Sequence, residues 1–250
     1  MKNRAYKNYI FDFYGTLVDI LTDEKDPVLW DKLGQLYQAY GAAYEGDALK
    51  KAYAKRVDQA RKELIELKGV AYPEIDLAHI FNQLYVDARP QSSNSNQPDD
   101  WGNLIAMVFR VLSRKHLTAY PHTKEVLAFL KEQGGRIYLL SNAQAAFTNA
   151  EIDLMALRPY FDAIYLSSDV GICKPQPEFL KQVLDDHGLN PSETVMVGND
   201  LTTDIAVAEA VGIDGILLNT FPYSRRELEN SPIKPDRVIT DIEALKTNFT

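Results

Sequence analysis

Between residues 120 and 239 short apolar runs alternate with amphipathic segments, and this alternation leaves the chain few folds to choose from. Strand patterns fall at 136–140, 163–166, 194–197, 215–218 and 237–239. Between them, helical spacing covers 122–133, 144–156, 177–187 and 204–211. Strands separated by helices run parallel, because each helix carries the chain back to the edge where the previous strand began. One more apolar strand, Tyr9-Ile10-Phe11, lies far upstream and is broken by the turn signal Gly15-Thr16. The predicted fold class is therefore α/β, with a doubly wound parallel sheet whose first strand is separated from the others by an insertion.

The insertion reads as helical. Leu29, Leu33, Leu36, Tyr37 and Tyr40 recur at three- and four-residue spacing, and Gly41 suits the end of that helix. Further amphipathic segments cover 47–67, 75–86 and 101–115, with a polar, low-complexity stretch at 89–100. Residues 20–117 form a helical block with no strand signal, and 1–19 together with 118–250 form the core. The aromatics Trp30, Tyr37, Tyr40 and Tyr44 are expected to pack inside the block, as residues at helical spacing do.

Charge and cysteine usage exclude several classes. The net charge of -8 argues against nucleic acid, whose phosphates call for a basic face. No apolar run approaches the roughly 18 residues of a membrane span, and the first residues hold no signal-peptide core. The single cysteine, Cys173, rules out an internal disulfide or a cysteine metal site, and a reducing cytoplasmic setting fits. His79, His116, His122 and His187 share no ligand spacing, and neither a phosphate-binding loop nor a dinucleotide fingerprint is present.

Four features fall at the carboxyl ends of predicted strands or in the loops just beyond them: Asp12, Ser141-Asn142, Lys174-Pro175, and Gly198-Asn199-Asp200 with Asp204. Each alone has an ordinary structural role, such as a helix cap or a solvated lysine. Together they share one edge of one sheet, the edge where open α/β sheets bind ligands. A carboxylate such as Asp12 at the end of a buried strand needs a partner there.

These motifs, in this order, resemble those of the haloacid dehalogenase (HAD) superfamily. Asp12, Phe13, Tyr14, Gly15, Thr16 and Leu17 match its first motif. Leu140-Ser141-Asn142 matches its second, Lys174-Pro175 its third, and Val197-Gly198-Asn199-Asp200 with Asp204 its fourth. The position of the insertion resembles the type with a helical cap after the first motif, on a Rossmann-like core. The resemblance implies a hydrolase with Asp12 as nucleophile, forming an aspartyl-phosphate. Lys174 would balance the charge of Asp12 and of a phosphate oxygen. Thr16, Ser141 and the backbone amides around Asn142 would hold the phosphoryl group. Mg²⁺ would be bound by Asp12, the Tyr14 carbonyl, Asp200 and Asp204, with Asp204 either a ligand or an acceptor behind one. The substrate implied is a small phosphorylated metabolite, with no nucleic acid or membrane partner.

One position departs from the family's phosphatases. They carry, two residues after the nucleophile, an aspartate that protonates the leaving alcohol; here Tyr14 stands there. A phenol with its ordinary pKa near 10 is a poor base at neutral pH. Tyrosine at this place resembles instead the metal-independent 2-haloacid dehalogenases, whose halide leaves unprotonated. Loss of the acid also suits a catalytically idle binding protein. Asp200 and Asp204 favour the Mg²⁺-dependent phosphatase, since a metal-free dehalogenase has less use for them.

Overall fold

The computed structural model describes residues 6–89 and 98–249, so most of the polar stretch predicted at 89–100 lies outside it. The chain opens with β1 (Asn8–Phe11), whose four residues are all buried. A second strand, β2 (Val18–Thr22), follows at once. Four helices come next: α1 (Pro27–Ala39), α2 (Gly46–Lys68), α3 (Leu77–Ala88) and α4 (Trp101–Ser113). The strand β3 (Arg114–Ala119) then returns to pair antiparallel with β2. The remainder alternates as the sequence predicts: α5 (Thr123–Glu132), β4 (Arg136–Ser141), α6 (Ala145–Leu154), β5 (Ala163–Leu166), α7 (Ser167–Val170), α8 (Pro177–His187), β6 (Thr194–Gly198), α9 (Ala206–Val211), β7 (Asp214–Leu218), α10 (Arg225–Asn230) and β8 (Arg237–Ile239).

The main sheet has the order β5-β4-β1-β6-β7-β8 and every pairing in it is parallel. Alternate residues of its strands feed two different cores, as the period of two in a strand requires. Tyr9, Phe11, Ile137, Leu139, Val195 and Val197 pack on one face with α5 and the C-terminal segment around Leu245. Ile10, Tyr138, Leu140 and Met196 pack on the other with α8 and α9. The β1 strand sits where the order turns, with β4 on one side and β6 on the other. The carboxyl ends of these three strands therefore open onto the crevice that a doubly wound sheet offers to ligands.

The inserted helices hold a separate cluster. Trp30, Leu33, Tyr37, Phe81, Trp101, Ile105 and Phe109 are buried together, with Tyr40 and Tyr44 packed against them. The four aromatics singled out from the sequence thus belong to this cluster. Phe147 of α6 joins it from the other side. Among the described residues no helix is long and apolar enough to cross a membrane.

The expectation of no strand between 20 and 117 is corrected at both ends of the block. The predicted helix over 101–115 stops at Ser113, and Arg114–Ala119 is extended. The β3 strand is mostly exposed and polar, so it lacks the apolar alternation that marks a strand, and pairing with β2 sets its shape. The helix expected to start at 204 begins earlier, with a wide turn over Leu201–Ile205.

Candidate active site

The buried carboxylate of Asp12 follows β1 directly. Its amide donates to the Val197 carbonyl at 3.0 Å, which continues the ladder with β6 one residue past the strand. Its Oδ1 accepts from Ser141 Oγ at 3.0 Å and from Lys174 Nζ at 2.7 Å, while its Oδ2 accepts from Thr16 Oγ1 at 3.2 Å. Thr16 also reaches Asn199 Oδ1 at 3.2 Å. The turn that brings Thr16 back needs Gly15, at φ +81°. A Cβ there would lie 2.5 Å from the Asn199 amide.

Lys174 is almost fully buried. Its Nζ also donates to the Leu140 carbonyl and pairs with Asp204 Oδ1, each at 2.7 Å. Burial pulls this ammonium down, and the charges of Asp12 and Asp204 more than offset it, so it lies above its ordinary value. Burial pushes the Asp204 carboxyl up, and Asp12's charge adds to that against the pull of Lys174. Asn142 fixes the lysine's backbone: its Oδ1 accepts from the Lys174 amide at 2.7 Å, and its Nδ2 donates to the Lys174 carbonyl at 2.9 Å. The amides flanking Asn142 have partners too, Ala143 to Ser167 Oγ and Ala145 to Ser168 Oγ, both at 2.8 Å.

Asp200 and Asp204 play different parts. Asp204 Oδ2 accepts from the Asp200 amide at 3.0 Å, while its buried Oδ1 has the Lys174 ion pair but no hydrogen bond. That approach requires Gly198, where a Cβ would sit 2.2 Å from Asp204 Oδ2. Asp200 caps the turn after β6, its Oδ1 accepting from the amides of Thr202 and Thr203 and from the Thr202 hydroxyl. The sequence-predicted residues Asp12, Thr16, Ser141, Lys174 and Asp204 thus form one hydrogen-bonded cluster, bounded by Asn142 and Asp200. Among the described residues, the only three His or carboxylate groups that converge as a ligand set are His122, Asp241 and Glu243, which are exposed and remote from this cluster in sequence.

Tyr14 turns toward α6 and the inserted helices. Its hydroxyl donates to Glu151 Oε2 in a very short hydrogen bond and meets Thr148 Oγ1 at 3.1 Å. Glu151 is buried and held by Arg110, from Nε at 2.9 Å and Nη2 at 3.0 Å, and by Arg114 Nη1 at 2.9 Å. The Arg110 guanidinium also lies over the rings of Tyr14, at 4.9 Å, and Phe147, at 4.7 Å. Burial pushes the Tyr14 phenol well above its ordinary value. Burial also pushes Glu151 up, but the hydrogen bonds from Arg110 and Tyr14 outweigh it and leave the carboxyl below its ordinary value. Sequence reading misses Glu151, Arg110 and Thr148. The one signal was a glutamate on the otherwise apolar face of α6 with Phe147 and Ile152. Cys173 is an ordinary loop thiol, pushed up by burial to about 11 and directed at the Tyr72 carbonyl.

A parallel sheet with a carboxylate at its switch point, a buried lysine beside it and helices inserted after the opening strands defines a doubly wound α/β fold with a helical insertion. The chain belongs to the haloacid dehalogenase-like hydrolases, whose family model matches residues 6–212. It is 31% identical over 130 residues to a ribulose-1,5-bisphosphate 5-phosphatase of Halopiger xanaduensis, covering 52% of each chain. It thus spans about half the length of that relative. Over 226 residues it is 26% identical to the pyrimidine 5'-nucleotidase PynA of Streptococcus pneumoniae, covering 90% of this chain and 86% of that one. In fold it is similar to a 2-haloacid dehalogenase from Pseudomonas syringae, with a TM-score of 0.65 at 19% identity and 98% of each chain covered.

Proposed function

We propose that the protein is a phosphatase acting on a small phosphorylated metabolite, with Asp12 as the nucleophile. The observation that carries this reading is the Asp12–Lys174–Asp204 chain at the carboxyl end of β1, with both ion-pair contacts at 2.7 Å. One cation there faces Asp12, Asp200 and Asp204, which leaves the edge negative, and a negative substrate would add to that charge. The relatives named as a phosphatase and a nucleotidase support phosphate as the group transferred.

The donor set fits Mg²⁺. It offers hard oxygens only: Asp12, the second carboxylate oxygen of Asp200, and the Tyr14 carbonyl, which no backbone amide among the described residues engages. Asp204, whose Oδ2 takes the Asp200 amide and whose Oδ1 is ion-paired to Lys174, belongs behind these ligands, orienting Lys174 and the Asp200 backbone. A bound Mg²⁺ would neutralise the charge gathered around the phosphoryl group. Asp12 attacks phosphorus, Ser141 and Lys174 orient its carboxylate, and Thr16 holds its other oxygen. Residues 20–117 act as a cap over the core formed by 1–19 and 118–250, and closure would exclude water and select small substrates.

The test is hydrolysis of p-nitrophenyl phosphate by the purified protein. The expected result is activity that requires Mg²⁺ and disappears in Asp12→Asn. Equal rates in EDTA would remove the metal from the reading. Chloride release from 2-chloropropionate without phosphate release would replace it with a dehalogenase.

A further inference from the structure

Hydrolysis of an ordinary alkyl phosphate calls for a side chain that gives a proton to the departing oxygen and later takes one from water. Around Asp12 the available hydrogens are committed elsewhere. Lys174 Nζ donates to Asp12 Oδ1 and to the Leu140 carbonyl, each at 2.7 Å, and is ion-paired at the same distance to Asp204 Oδ1. The Ser141 hydroxyl donates to Asp12. The Thr16 hydroxyl lies between Asp12 and Asn199. Asn199 offers an amide, which does not exchange protons as an acid or base.

In the family's pattern the proton would come from position 14, and the single hydroxyl hydrogen of Tyr14 goes to Glu151. That acceptor is fixed by two arginines, both of them from the inserted segment. Releasing the hydroxyl toward a leaving group would take one donor from the buried Glu151 and break the contact with Thr148.

We infer that this site works without an acid–base side chain and therefore takes phosphoryl donors whose leaving group departs unprotonated, such as acyl phosphates and aryl phosphates, in preference to alkyl phosphates. The inference rests on the phosphatase reading above. In the first step a carboxylate oxygen of Asp12 bonds to phosphorus. The bond from phosphorus to the leaving oxygen breaks, and its electron pair departs on that oxygen as an anion. In the second step the oxygen of water bonds to phosphorus, and the bond to Asp12 breaks with its electrons returning to the carboxylate. Both protons of the water stay on the phosphate product, which passes one to solvent. With no base beside the water this second step is slow, so the phosphorylated Asp12 accumulates.

The experiment is steady-state kinetics of the full chain with Mg²⁺ on aryl phosphates of graded phenol acidity, with acetyl phosphate and glycerol phosphate at the extremes. The expected result is a kcat/KM that falls steeply as the leaving group becomes more basic. Glycerol phosphate should be slower than acetyl phosphate by the roughly 10²–10⁴-fold that a general acid supplies. Rapid acid quench followed by intact mass measurement should show one added phosphoryl group, lost in Asp12→Asn. Tyr14→Phe should leave the slope as it is, whatever it does to the rate, and Tyr14→Asp should flatten it. If Tyr14→Asp does not fold, the slope in Tyr14→Phe decides. A flat dependence in the native protein, or a steeper one in Tyr14→Phe, would overturn the inference while the phosphatase reading stands. Absence of phosphate release even from acetyl phosphate would overturn both.

Discussion

Lys174 stands between two buried carboxylates, hydrogen-bonded to Asp12 and the Leu140 carbonyl and ion-paired to Asp204. Replacing it with Met removes the positive charge and leaves Asp12 and Asp204 as like charges in a dry site. Breaking such a pair costs about 3–5 kcal/mol, so Lys174→Met should lower the unfolding free energy measured in urea by that order and abolish turnover. A variant of native stability would show that the carboxylates find other donors. The places of Asp12 and Ser141 were legible because residues at strand ends are located by the strands themselves, and that of Lys174, in the loop beyond α7, through the resemblance of Lys174-Pro175 to a family motif. Glu151 was not legible. A buried charge makes sense only beside its partner, and Arg110 lies 41 positions away in another part of the fold. Tyr14 was legible as a departure but not in its orientation, which Glu151 and Thr148 set.

Single elements show the same division. The parallel strands β1, β4 and β6 were plain from their apolar runs, since strands covered on both faces need no polar alternation. The antiparallel β2–β3 pair was not, because β3 carries its strand character in its partner. The connection between α2 and α3 was equally silent, yet it grips the core. Gln144, just before α6, donates to the Ile75 carbonyl at 2.8 Å and to Glu74 Oε1 at 3.1 Å, and accepts from the Leu77 amide at 2.8 Å. One amide side chain thus satisfies both the Ile75 carbonyl and the Leu77 amide of that connection. Gln144→Ala would leave a buried carbonyl and amide without partners, at about 1–3 kcal/mol. Hydrogen exchange should then quicken over residues 69–77 while the sheet strands keep their protection. Uniform quickening through the sheet would show that the connection is not an independent unit.

At the level of the molecule, the helical cluster of the insert meets the sheet side of the chain across several polar ties, and Glu151, with two arginines on it, is the one with the most charge. It belongs to α6, beside the sheet, while Arg110 and Arg114 come from α4 and β3. The carboxyl titrates below its ordinary value in the folded chain, and in the unfolded chain it returns to that value. A group with a depressed folded pKa contributes stability that is fully present above the unfolded pKa. That contribution is lost as pH falls through the folded one. Joining of insert to core should therefore weaken in acid, beginning below the ordinary carboxylate value of 4.5. Other carboxylates also titrate there, so the measurement is a difference. Urea unfolding of the native chain and of Glu151→Gln is followed from pH 7 down to pH 3. At pH 7 the variant should be less stable by about 3–5 kcal/mol, because Arg110 and Arg114 lose their counterion. As pH falls the gap should close, since the native glutamate then becomes neutral like its replacement. A gap that stays constant with pH would mean that Glu151 acts through its shape and hydrogen bonds, not its charge. Adding Arg110→Met to Glu151→Gln sharpens the test, because removing both charges should recover part of the loss seen at pH 7.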